Sequence, residues 1–208
     1  MDHFYQDIPA APSAGDHCDF RDLYAAVAAA CPQKVRTVEV GVFKGQSLAY
    51  LVVEAINNGK EVRAYGVDRF TVFKASGRTH DDFYRDAAGH LASLTDEGHV
   101  HLIRKASVEA APMFGTRAAD FVFLDADHDY DSVKADLEAW EPVCRGLIAG
   151  HDYNQGGVMR AVRDHFGGLA VTFPVGTHQR ACWAVNIGEV EWAYAALRHV
   201  MRKEESVA

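Results

Sequence analysis

The feature that most constrains the fold is the run at residues 35–55, VRTVEVGVFKGQSLAYLVVEA. Its first six residues are apolar and β-branched enough for a buried parallel strand, and glycines at Gly41 and Gly45 mark a turn. Leu48, Leu51, Val52 and Ala55 then recur at helical spacing. A strand, a tight turn and a helix in this order open an open α/β sheet. Such sheets bind ligands outside the carboxyl ends of their strands, where helix N-terminal amides face ligand oxygens.

The chain of 208 residues suits one α/β domain of this kind, 33–208, preceded by an arm and a helix over 1–32. A net charge of −8 with no basic run argues against a nucleic-acid backbone and for a small-molecule substrate. No apolar stretch approaches the roughly 18 residues of a membrane span, and residues 1–10 lack the basic and apolar regions of a signal peptide, so a cytoplasmic location is expected. Cys18, Cys31, Cys144 and Cys182 are scattered and read as buried free thiols.

Along the chain, residues 1–18 read as an irregular arm and 19–30 as a helix with Asp19 as its N-cap. A second strand at 62–67 closes on Asp68, an acid placed to accept hydrogen bonds from ribose hydroxyls. The connection at 69–81 is long for a βα loop and reads as a lid. A helix at 82–96 and a strand at 100–104 follow, then Ser107 opening a short helix, with helix capping the alternative to a ligand role. Residues 120–125 form a fourth strand ending on Asp125, and Asp129 caps the next helix, whose inward stripe is Tyr130, Val133, Leu137 and Trp140. A strand at 146–150 runs into His151 and Asp152, a helix with Val158, Val162 and Phe166 inward follows, and strands at 169–173 and 181–187 precede a last helix from about 189.

The glycine run, Glu39-x-Gly41-x-x-x-Gly45-x-Ser47, has one glycine fewer than a dinucleotide fingerprint and an acid inside the strand. It resembles motif I of the class I S-adenosyl-L-methionine (SAM) dependent methyltransferases. The run FVFLDADHDYDSVKADLEAW followed by LIAGHDY is similar to that of the small bacterial O-methyltransferases of the macrocin and cephalosporin type, and the resemblance covers about residues 33–187. It implies a doubly wound, Rossmann-like α/β fold. The sheet would have seven strands, mostly parallel with an antiparallel last strand, and helices on both faces. It further implies SAM with its methionine end beside Glu39, Gly41, Gly45 and Ser47, its ribose on Asp68, and its adenine near Ser107.

Methyl transfer needs an aligned acceptor and removal of the acceptor's proton. Asp125 and Asp152, at the ends of neighbouring strands, offer hard oxygen ligands suited to magnesium, and His128 and His151 offer bases or partners of the ligands. His178 and Arg180, in the hairpin, are placed to line an acceptor pocket. The acceptor, whether the acid pair holds a metal, and whether a homo-oligomer forms stay open. A metal-dependent hydrolase built on the Asp/His cluster and a non-catalytic SAM-binding protein are the alternatives.

Overall fold

The computed structural model describes residues 1–9, 18–71, 80–175 and 180–205, the side chains of 80, 180 and 203–205 excepted. Seven strands form one sheet: β1 Lys34–Val40, β2 Glu61–Asp68, β3 Val100–Arg104, β4 Ala119–Leu124, β5 Cys144–Gly150, β6 Val171–Val175 and β7 Arg180–Asn186. Their order is β3-β2-β1-β4-β5-β7-β6, with β7 antiparallel to both neighbours and the other pairs parallel. This is the seven-stranded, Rossmann-like sheet that the sequence implied. Its helices are α1 Arg21–Ala30, α2 Gln46–Asn57, α3 His80–His90, α4 Ala92–Asp96, α5 Ser107–Ala110, α6 Tyr130–Trp140, α7 Gly156–Phe166 and α8 Glu191–Glu205. Among the described residues no helix is long and apolar enough to cross a membrane.

Both faces of the sheet are covered, which is why its central strands are mostly apolar, with Thr37, Glu39 and Asp120 the buried polar exceptions. All six residues of β4 are buried. Its side chains alternate: Val122 and Leu124 join Trp140, Val158 and Trp183 in one cluster, while Phe121 and Phe123 join Phe20, Leu23 and Tyr24 in another. Each large apolar side chain so buried contributes roughly 1.5–3 kcal/mol relative to exposure. In β1 the same alternation sends Val38 and Val40 to the first cluster. Glu39 therefore points to the face covered by α1 and α2.

Register then places the site. Val40 pairs with Val67 and with Leu124, and Leu124 pairs with Gly150. The residues that follow, Gly41, Asp68, Asp125 and His151, consequently leave the sheet in one row at its carboxyl edge.

Some local readings need correction. Residues 1–9 are less irregular than expected: Tyr5–Asp7 is a 3-10 turn, and Tyr5 and Ile8 are buried in the cluster of α2. Asp19 does not cap α1. Phe20 is the N-cap, with no side-chain cap bond, and Asp19 reaches elsewhere. Ser107 is the first residue of α5 rather than its cap, which is Ala106. The helix expected at 82–96 breaks at Leu91 into α3 and α4. The strand expected from 169 begins at Val171, and Leu169 lies exposed ahead of it.

Candidate functional site

The turn after β1 is held from two sides. Gly41 has φ +94°, and a Cβ there would stand 2.0 Å from the carbonyl oxygen of Asp125, so the turns after β1 and β4 touch backbone to backbone. Only glycine allows that approach. Gly45, with φ +88°, is the N-cap of α2. From β2, Asp68 Oδ2 accepts the amides of Val42 (2.9 Å) and Phe43 (2.8 Å), and Oδ1 accepts that of Phe70 (2.6 Å). The acid at the end of the second strand thus staples the glycine turn.

Glu39 lies directly below, 1% exposed. Its carboxyl accepts hydrogen bonds from Tyr24 Oη (2.8 Å) and Ser47 Oγ (2.7 Å). Burial pushes its pKa up to about 8 against the pull of those two bonds, with the charges of Asp125 and Asp68 adding to the rise. Among the described residues no cation pairs with it.

Ser107 sits at the end of β3, where its hydroxyl accepts a bond from Trp140 Nε1 (2.8 Å) and also bonds Asp136. Burial raises the Asp136 carboxyl to about 6, against that bond.

The other half of the row carries acid and imidazole. One ligand atom each of Asp125, His128 and Asp152 lies within 4.8 Å of the other two. His128 Nε2 is 3.0 Å from Asp152 Oδ2, an ion pair rather than a straight hydrogen bond, with the His128 side chain 40% exposed. The Asp152 carboxylate at its Nε2 raises the His128 pKa above its ordinary value, with burial opposing it.

His151 is placed differently. Its side chain is 4% exposed, its Nδ1 lies 3.4 Å from Asp152 Oδ2 and 3.6 Å from Asp125 Oδ1, and its Nε2 lies 3.0 Å from Asp19 Oδ1. Burial disfavours charge on this ring, but the carboxylates of Asp125, Asp152 and Asp19 outweigh it and push the pKa up to about 11. Asp152 in turn is held well below the usual carboxylate range: burial raises it, but the two histidines overcome that. Two carboxylates brought together need a cation between them. In the protein as folded His151 fills that need.

Asp125, Asp127, His128, Asp136 and His151 share an open cleft of about 290 Å³ with Leu124, Val133, Val158 and Trp183. Three residues at the rim of the row adopt left-handed backbone conformations without being glycine: Phe43 (φ +51°), Phe70 (φ +53°) and Asp152 (φ +53°). Such strain collects where a site over-determines the backbone.

The structure therefore brings together Asp125, His128, His151 and Asp152 on one side and Glu39, Gly41, Gly45, Ser47 and Asp68 on the other. Ser107 is tied to α6 through Trp140 and Asp136. Asp127 is exposed, with Oδ2 3.9 Å from Arg69. His178 lies outside the described residues, as do 72–79 of the expected lid, and of Arg180 only its backbone in β7 is described.

Three residues escaped the sequence reading. Asp19 and Tyr24 gave no local signal. Asp136 gave one: it falls on the inward stripe of Val133, Leu137 and Trp140, where a carboxylate is out of place.

The donor set suits a divalent cation. Two carboxylates fit magnesium, and the adjoining imidazole extends the set to manganese. The other end suits a cationic ligand, because a buried carboxyl with no cationic partner gains most from one.

Comparison with known proteins follows this geometry. The profile of a family described as a methyltransferase domain matches residues 38–153, more than half of the chain. No curated protein sequence matches. Among solved structures, cofactor-bound Rv0187 from MTB is similar with a TM-score of 0.63 and 17% identity, over 89% of this chain and 87% of that one. The O-methyltransferase from Bacillus cereus in complex with SAH gives 0.54 and 15%, over 87% and 85%. TomG from Streptomyces achromogenes, an O-methyltransferase of tomaymycin synthesis in complex with SAM, gives 0.55 and 18%, over 86% and 82%. At these identities the likeness is one of fold.

Proposed function

The chain belongs to the methyltransferase-domain family, and from that premise we propose that it transfers a methyl group from SAM to a hydroxyl oxygen of a small molecule, at a site where Asp125 and Asp152 hold a divalent cation. The observation that carries this reading is the convergence of Asp125, His128 and Asp152 within 4.8 Å, with the Asp125 backbone against the glycine turn of β1. Solved neighbours of the same fold are O-methyltransferases bound to SAH or SAM, which supports the choice of cofactor and acceptor atom.

When bound, SAM supplies a methyl group on a sulfonium, so no further activation of the leaving group is required. A divalent cation on Asp125 and Asp152 would supply Lewis acidity that lowers the pKa of an acceptor hydroxyl. The remaining work falls to the chain. Glu39, buried and without a cation, receives the methionine ammonium, while Ser47 and the turn at Gly41 and Gly45 frame that end. Asp68 holds the turn closed and stands at the ribose, and Ser107 with Asp136 stands at the adenine.

His128 takes the acceptor's proton. It is the half-exposed imidazole of the pair, whereas His151 is enclosed by three carboxylates. The Asp152 carboxylate that now raises the His128 pKa would be drawn on by a cation held there, and the neutral ring would then serve as base.

The test is methyl transfer from radiolabelled SAM to a panel of sugar and phenol hydroxyls, with and without chelator. Asp125→Asn and Asp152→Asn should abolish transfer while SAH affinity stays within a few-fold. Full-rate transfer in chelator would rule out the cation and leave a direct His128 base.

A further inference from the structure

The N-cap of helix α1 is Phe20, without a side-chain cap bond, so Asp19 does not cap it. It points instead into the row of site residues. Asp19 Oδ1 lies 3.0 Å from His151 Nε2, an ion pair rather than a straight hydrogen bond, with the two side chains only 7% and 4% exposed. The next residue, Phe20, lays its ring against the same imidazole at 5.1 Å and packs on Phe123 of β4 at 4.6 Å. The carbonyl of Phe20 accepts the amide of Leu23, so the start of α1 fixes both residues. From the same helix Tyr24 holds Glu39. One element thus reaches both ends of the cleft.

We propose that Asp19 is a positioning residue of the transfer site: it grips His151 through Nε2 and so keeps Nδ1 turned to Asp125 and Asp152, orienting both carboxylates toward the acceptor. This rests on the reading of Asp125 and Asp152 as the transfer site. With Nε2 engaged by Asp19 and the ring face covered by Phe20, His151 cannot swing out to ligate or to take a proton. Its part is to set the angle of the two acids. Partners of this kind, one step removed from a cation, typically change its affinity about 10–100-fold when removed.

The experiment uses the full chain with SAH bound. His151 ring nitrogens are followed by NMR in protein labelled with ¹⁵N-histidine and assigned with His151→Gln, and magnesium affinity is measured by calorimetry. In Asp19→Asn, which keeps the volume and one oxygen but loses the charge, and in Asp19→Ala, the His151 Nε2 resonance should move. Magnesium should bind about 10-fold or more weakly, with SAH affinity unchanged. Asp19→Glu should recover part of the loss. Should Asp19→Ala fail to fold, Asp19→Asn decides alone. Unmoved His151 resonances, or magnesium affinity equal to the parent's with only a lower melting temperature, would overturn the proposal. If the parent itself binds no magnesium, the cation reading fails, and the His151 resonances then support or overturn the grip of Asp19 on their own.

Discussion

Glu39→Gln offers the sharpest test of how the site is built. The folded carboxyl titrates near 8 instead of 4.5, because burial outweighs the bonds from Tyr24 and Ser47. A folded pKa raised above the unfolded value means that the folded state holds the proton more tightly. The resulting stability is complete below about pH 4.5 and is lost as pH rises through about 8. Each pH unit inside that window is worth about 1.4 kcal/mol, and a window of about 3.5 units gives a total on the order of 5 kcal/mol. Against a whole-domain stability of about 5–15 kcal/mol this is large.

Glutamine has the same shape, can pair with both hydroxyls and cannot ionise. The parent should therefore lose stability relative to Glu39→Gln by about 1.4 kcal/mol per unit between about pH 5 and 8. Urea unfolding of both proteins at pH 5, 6, 7 and 8 reads this directly, since the histidines and Asp136 titrate in both and cancel. A gap between the two proteins that stays constant with pH would refute the argument, and would mean that Glu39 is ionised in the fold or already paired with a cation.

The same carboxyl should release a proton when the ammonium of SAH arrives beside it, so SAH affinity should rise between about pH 6 and 8; calorimetry in buffers of different ionisation enthalpy counts the proton, and Glu39→Gln should abolish it. Asp68→Ala should weaken SAH binding by about 1.5–3 kcal/mol, the worth of hydrogen bonds to a charged group. It should also lower the melting temperature, since the amides of Val42, Phe43 and Phe70 lose their acceptor; equal SAH affinity by calorimetry would contradict both roles. Gly41→Ala should give little folded protein by circular dichroism, since its methyl would meet the Asp125 carbonyl; near-parent stability would show that the two turns can separate.

Much of this was legible because parallel strands announce their ends. Asp68 and Asp125 each follow an apolar run, His151 and Asp152 follow another, and the topology of alternating strands and helices brings those ends to one edge. Ser47 was legible from its place in the glycine turn. What local pattern could not show is which side chain answers which. Asp19 read as a cap because an acid before an alanine-rich helix commonly is one, and its partner lies five strands away in the chain. Glu39 read as the acid beside the methionine end, but that Tyr24 and Ser47 both bond it had no sign in the local pattern. His128 and His151 looked equivalent as bases. Only packing separates them, since His151 lies beneath Phe20 and among three carboxylates while His128 stays at the rim.

The left-handed residues at the rim bear on any attempt to harden this protein. Phe43, Phe70 and Asp152 each occupy a conformation that costs an L-residue on the order of 1–3 kcal/mol. Glycine would relax the backbone at each, but at Phe70, only 2% exposed, it would also empty a buried site at a cost of about 3–5 kcal/mol, and at Asp152 it would take away the partner of His128 and His151. All three are also where the chain turns into the cleft. A screen for robustness therefore gains little at Phe70 and Asp152, and does better to leave this rim alone and work on the far ends of the strands.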